Sequence, residues 1–262
     1  MSLNHVRRGS GPPLLLVHGL GGNLSSWNAI ADELAGDREL VIVDLPGFGE
    51  TPPLPGAVTI PAMADAVTAF LDAEDLRGVD AVGVSAGARL VLELARRGVV
   101  GSTVALAPGG FWSAGQKRFF NISTGISIRL IKLLQPLMPF LTGNPVTRTL
   151  LFGQLSPRPW ALRKQLMLPE MRSFACSPST LTALDGLVNG PAQEGAPAGS
   201  LPGPAMIVWG KQDFVTLPSQ AETAQRLFPD ASLEWLDRCG HFSYWDRPAE
   251  TVELILANTR SS

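Results

Sequence analysis

The stretch Gly83-Val84-Ser85-Ala86-Gly87 constrains this 262-residue chain more than any other. A short run, Val79-Asp80-Ala81-Val82, precedes it and reads as a buried strand. Ala88-Arg89-Leu90-Val91-Leu92-Glu93-Leu94-Ala95-Arg96-Arg97 follows it and reads as a helix closed by Gly98. A strand-to-helix turn this sharp crowds the backbone at its centre, and glycines two before and two after the serine relieve the clash. The serine is then held strained, with its Oγ projecting above the sheet. The helix that starts there points backbone N–H groups at the same spot, where negative charge is stabilised. Taken alone, the five residues also fit an ordinary glycine-bracketed turn, so the context has to decide.

That context is an alternation of strands and helices. Residues 3–8 predict a short edge strand. Leu14-Leu15-Leu16-Val17 is continuous and apolar, as a strand covered on both faces should be. It runs into His18-Gly19-Leu20-Gly21-Gly22, after which Asn23 or Ser25 can cap a helix carrying Trp27, Ile30 and Leu34. Leu40-Val41-Ile42-Val43 predicts the next strand, emptying into the turn Asp44-Leu45-Pro46-Gly47-Phe48-Gly49. Thr59 caps a helix with Met63, Val67, Phe70 and Leu71 on one face. Thr103-Val104-Ala105-Leu106-Ala107 is again a buried strand. Short connections throughout predict a parallel sheet with helices on both faces.

Residues 111–200 break the pattern. They predict no strand but helical pieces at 126–134, 147–152, 160–168 and 180–188, separated by prolines and ending in a Gly/Pro/Ala-rich linker at 190–199. Alternation then resumes with the strand Ala205-Met206-Ile207-Val208-Trp209, a helix from about 218 to 228, the strand Leu233-Glu234-Trp235-Leu236 and a last helix over 248–259. The organisation expected is a core of residues 1–110 and 201–262 with an inserted helical cap at 111–200.

Composition excludes some functions. The net charge is −2 with no basic run, which argues against a nucleic-acid partner. Two distant cysteines, Cys176 and Cys239, match no metal spacing and read as free thiols of a reducing compartment. Residues 1–8 lack the apolar core of a signal peptide, and the longest apolar stretch, 119–141, is interrupted by Arg129, Lys132, Pro136 and Pro139. The expectation is a cytoplasmic protein with no stable membrane insertion, working as a monomer or homodimer.

In an open parallel sheet, ligands meet the loops at the carboxyl ends of the strands. His18, Asp44, Ser85, Pro108, Asp213 and His241 all fall just past predicted strand ends. At this point the chain resembles the α/β-hydrolase family over essentially its whole length. The resemblance rests on His18-Gly19, Gly83-Val84-Ser85-Ala86-Gly87, Gly210-Lys211-Gln212-Asp213 and Gly240-His241, in the family's order of Ser, then Asp, then His. It implies the α/β-hydrolase fold, a mostly parallel central sheet of seven or eight strands, with the usual first strand missing here. Ser85 would be the nucleophile, His241 the base that takes its proton, and Asp213 the carboxylate that orients His241. The oxyanion would be met by the backbone N–H groups of Leu20 and Ala86. Of three histidines, His5 lies near the N-terminus and His18 in the loop motif, which leaves His241 as base.

Other residues carry plainer readings. His18 is a hydrogen-bonding residue of its loop, Asp44 fixes its own turn, and Cys239 is a small buried thiol. Phe111 and Trp112 either line the substrate pocket or pack under the cap. A serine rather than an aspartate nucleophile argues for acyl transfer to water, and the apolar cap for a small, largely apolar substrate. The leading expectation is hydrolysis of a carboxylic ester with no metal or organic cofactor. The alternatives are carbon–carbon hydrolysis of a diketone-like ring-fission product, cofactor-free perhydrolysis, a non-catalytic ligand-binding or accessory protein, and an assembly role through the cap. Carbon–carbon hydrolysis would need polar or basic residues near the site to hold an acidic substrate, with Arg89, Arg118 and Arg129 as the basic candidates.

Overall fold

The computed structural model describes residues 2–259. Seven strands form one sheet: β1 (His5–Arg8), β2 (Pro13–Val17), β3 (Glu39–Val43), β4 (Asp80–Val84), β5 (Thr103–Leu106), β6 (Ala205–Gly210) and β7 (Ser232–Leu236), ordered β1-β3-β2-β4-β5-β6-β7. Only β1 runs antiparallel, on the β3 edge. The sheet therefore has seven strands, the lower of the two expected numbers.

Alternate residues of each strand feed separate cores, as the period of two requires. Leu15, Val17, Val41 and Val43 meet Val67, Phe70 and Leu71 of α2 (Ile60–Ala73) and Leu90, Val91 and Leu94 of α3 (Ala86–Arg96). Leu14, Leu16, Ile42 and Val82 meet Trp27, Leu34 of α1 (Ala31–Leu34) and Ile255 on the other face. Both faces are covered, so polar alternation is absent from the central strands.

The register aligns the carboxyl ends. Val17 pairs with Gly83, Val84 with Leu106, Leu106 with Val208 and Gly210 with Leu236. His18, Ser85, Asp213 and His241 thus emerge along one edge, after β2, β4, β6 and β7.

Between β5 and β6 the chain forms helices α4 (Ala114–Leu133), α5 (Met138–Leu141), α6 (Pro145–Phe152), α7 (Lys164–Cys176) and α8 (Thr180–Asn189), with no strand among the described residues. Helix α4 packs on α7 and α8. It begins twelve residues before the predicted 126 because Ser113 and Gln116 form a reciprocal capping box. The piece predicted at 160–168 is instead a short turn, Pro159–Ala161, followed by α7, which continues through Pro169. After β6 come α9 (Ala221–Leu227), α10 (Ser243–Asp246) and α11 (Pro248–Thr259). Among the described residues, no helix is long and apolar enough to cross a membrane.

Candidate active site

Ser85 sits between β4 and α3 with φ 56° and ψ −114°. A non-glycine residue in that region costs on the order of 1–3 kcal/mol and persists only where its surroundings enforce it. They do so by close backbone packing. A Cβ at Gly83 would overlap the Gly87 carbonyl, and one at Gly87 would overlap the carbonyl oxygens of Val17 and His18. Only hydrogen fits at either position, so β2, β4 and α3 converge on the serine.

Asp213 and His241 meet past the ends of β6 and β7. Asp213 Oδ2 lies 2.9 Å from His241 Nδ1 and accepts the Thr216 hydroxyl at 2.7 Å. Oδ1 accepts the N–H groups of Val215 and Thr216 at 2.8 and 3.0 Å. Four donors hold a carboxylate that is only 1% exposed. The bond to Nδ1 places the ring proton there and leaves the Nε2 lone pair available.

Ser85 and His241 line the same cavity, about 750 Å³ of space partly open to solvent. Its wall is mostly apolar: Leu20, Phe120, Ile131, Phe152, Met171 and Val215 are among its members. Leu20 carries an N–H that bonds nothing among the described residues, and Ala86 is the first residue of α3, where an N–H has no partner inside the helix. A Cβ on Gly19 would come 3.1 Å from Ser85 Cβ, so the Leu20 loop closes directly over the serine.

Phe111 and Trp112 do not reach the cavity. Phe111 is buried beside Phe228, their rings 6.1 Å apart, in the core under β5 and β6. Trp112 stacks on Phe120 at 4.9 Å, and it is Phe120 that faces the cavity. Trp112 directly precedes Ser113, the N-cap of α4. The three arginines also lie elsewhere. Arg89 bonds the Leu187 and Pro191 carbonyls and Gln193, while Arg118 and Arg129 are exposed on α4.

His18 is fully buried. Its Nδ1 donates to the Gly19 carbonyl at 2.7 Å and its Nε2 accepts the Leu45 N–H at 3.0 Å. Burial lowers its pKa, which fits the neutral ring those bonds require. Asp44 does more than fix its own turn, since it accepts from Glu50 N, Leu24 N and Asn4 Nδ2 and so ties three segments together. Burial pushes the Cys239 thiol well above its ordinary value.

One polar wall residue escaped the sequence. Glu170 of α7 lies in the cavity wall, its Oε2 accepting the Ser26 hydroxyl at 2.7 Å. Burial pushes its carboxyl up to about 7. The Tyr244 hydroxyl and Trp27 indole N–H are buried with no partner among the described residues. No local spacing marks Glu170; only the tertiary packing of α7 brings it inside.

The profile of the Alpha/beta hydrolase family matches residues 14–254. An uncharacterized protein of Mycobacterium tuberculosis is 26% identical over 261 residues, covering 94% of this chain and 75% of the relative. The pimeloyl-[acyl-carrier protein] methyl ester esterase of Aeromonas salmonicida is 42% identical over 72 residues, 27% of this chain and 28% of its own. Among solved structures, a thermophilic esterase from Thermogutta terrifontis superposes with a TM-score of 0.76 at 21% identity, covering 98% of this chain and 93% of that one. At that identity the likeness is one of fold.

Proposed function

This chain belongs to the alpha/beta hydrolase family, and from that premise we propose that it is a serine hydrolase cleaving a carboxylic ester of a small, largely apolar substrate. Residues 1–110 and 201–262 form the hydrolase core in this reading, and residues 111–200 the cap. The observation that carries it is Ser85 and His241 on the wall of one apolar cavity, with His241 anchored by Asp213.

Ser85 Oγ attacks the ester carbonyl as His241 Nε2 takes its proton. Negative charge develops on the carbonyl oxygen, where the Leu20 and Ala86 N–H groups and the start of α3 stabilise it. The carbon–oxygen bond then breaks, and His241 returns the proton to the leaving alcohol. A water gives its proton to His241 and attacks the acyl-enzyme. The acid leaves and Ser85 recovers its proton. Asp213 stays ionised and stabilises the imidazolium formed at each step.

The lining supports an uncharged substrate. No lysine or arginine is among the lining residues, so an acidic ring-fission product would enter without a cation to pair with. That weighs against carbon–carbon hydrolysis. The names of relatives such as the methyl ester esterase point to esters. Two free cysteines suit the cytoplasm.

The test is turnover of a p-nitrophenyl ester series of rising acyl length by wild type and Ser85→Ala. Turnover lost in the variant supports the reading. Equal turnover in both would remove Ser85 from the mechanism.

A further inference from the structure

Helix α4 is amphipathic in an unexpected sense, because it is apolar on two faces. Phe120, Thr124, Ser127 and Ile131 turn inward and line the cavity. On the other side Phe119, Ile122, Ile126, Leu130 and Leu133 recur every three or four residues and so share one stripe. All five are exposed, from 41% for Leu130 to 76% for Leu133. Large exposed side chains continue past the helix, with Phe140 at 68% and Leu150 at 80%. Isolated exposed leucines need no explanation, but a contiguous stripe marks a surface that something covers.

Charge says what covers it. Eight of the 21 lysines and arginines lie between residues 111 and 169, and none of the 23 aspartates and glutamates does. The rest of the chain then carries 13 basic and 23 acidic residues. Arg118, Arg129 and Lys132 are exposed on α4 beside the stripe. A second copy docked through the same face would set the same positive charges against themselves. A neutral apolar partner would leave them unanswered. Anionic headgroups accept the basic side chains while the acyl boundary takes the apolar stripe.

We propose that the outer face of α4 docks on an anionic lipid surface. The contact is peripheral, in the plane of the interface. It leaves α4 as the wall between the bilayer, into which an apolar substrate partitions, and the cavity. Docking does not depend on Ser85, so it stands or falls apart from the catalytic reading.

Vesicle flotation tests it, with the whole purified chain. Vesicles of phosphatidylcholine mixed with phosphatidylglycerol should carry the wild type upward, and pure phosphatidylcholine should not. Ile126→Glu with Leu133→Glu should lower the bound fraction about tenfold. So should Arg118→Gln with Arg129→Gln and Lys132→Gln. Raising salt to about 1 M, where the Debye length is about 3 Å, should also release the protein. These side chains are exposed, so each variant should keep the wild-type thermal transition, measured alongside. Failure of the wild type to float with mixed vesicles overturns the proposal, as does flotation that neither variant weakens. A mass that doubles with concentration and reverts in the Ile126→Glu, Leu133→Glu variant, without flotation, would overturn it in favour of self-association.

Discussion

Asp213 Oδ2 stands 2.9 Å from His241 Nδ1, in a pocket where both side chains are sealed from solvent. Asp213→Asn keeps the shape but offers an amide N–H₂ where Nδ1 already carries its proton. We expect kcat on p-nitrophenyl butyrate to fall about 10³- to 10⁴-fold with little change in KM. A loss smaller than about tenfold would mean that Asp213 only caps its own turn.

Gly87→Ala tests how the strained serine is held. The added methyl meets the carbonyl oxygens of Val17 and His18, which are backbone and cannot rotate aside. We expect a loss of about 3 kcal/mol or more of stability, read from denaturant unfolding, together with loss of esterase turnover. Wild-type stability in this variant would show that β2 and α3 are not in contact there.

Phe111 and Phe120 should separate cleanly. Phe111 fills the core against Phe228, so Phe111→Ala should cost about 3–5 kcal/mol and leave the order of acyl-length preference intact. Phe120 faces the cavity, so Phe120→Ala should shift the preferred acyl chain to greater length. A preference that moves with Phe111 instead would reverse the assignment.

Glu170 makes a prediction about pH. Its carboxyl titrates near 4.5 in the unfolded chain and at about 7 when buried. The folded state therefore holds the proton more tightly, and folding stability falls as pH rises through that window, by at most about 3 kcal/mol at 1.36 kcal/mol per unit. Glu170→Gln should flatten the change in melting temperature between pH 5 and pH 8. An unchanged slope would mean that Glu170 ionises freely in the folded protein.

The sheet was legible because its central strands are apolar runs that empty into turns rich in Gly, Pro or Asp, and the placing of Ser85, Asp213 and His241 past strand ends because each follows a glycine-containing turn that is local in the chain. The cavity wall was not. Phe120, Thr124, Ser127 and Ile131 read as one more helical face, and nothing local says which of α4's two apolar faces turns inward. Trp112 follows β5 closely in sequence, yet the Ser113–Gln116 capping box begins α4 directly after it. That signal was present and places Phe120, nearly two turns into the helix, ahead of Trp112. Glu170 depends on α7 folding back over Ser26, 144 residues away, a contact that no periodicity encodes.

The most direct test is covalent. A fluorophosphonate needs a nucleophile, a base and an oxyanion site at once. We expect one adduct per chain, mapped by mass spectrometry to Ser85 and absent from Ser85→Ala and from His241→Ala. A folded wild-type protein that takes no label at Ser85 would contradict the serine-hydrolase reading and leave this cavity a binding site.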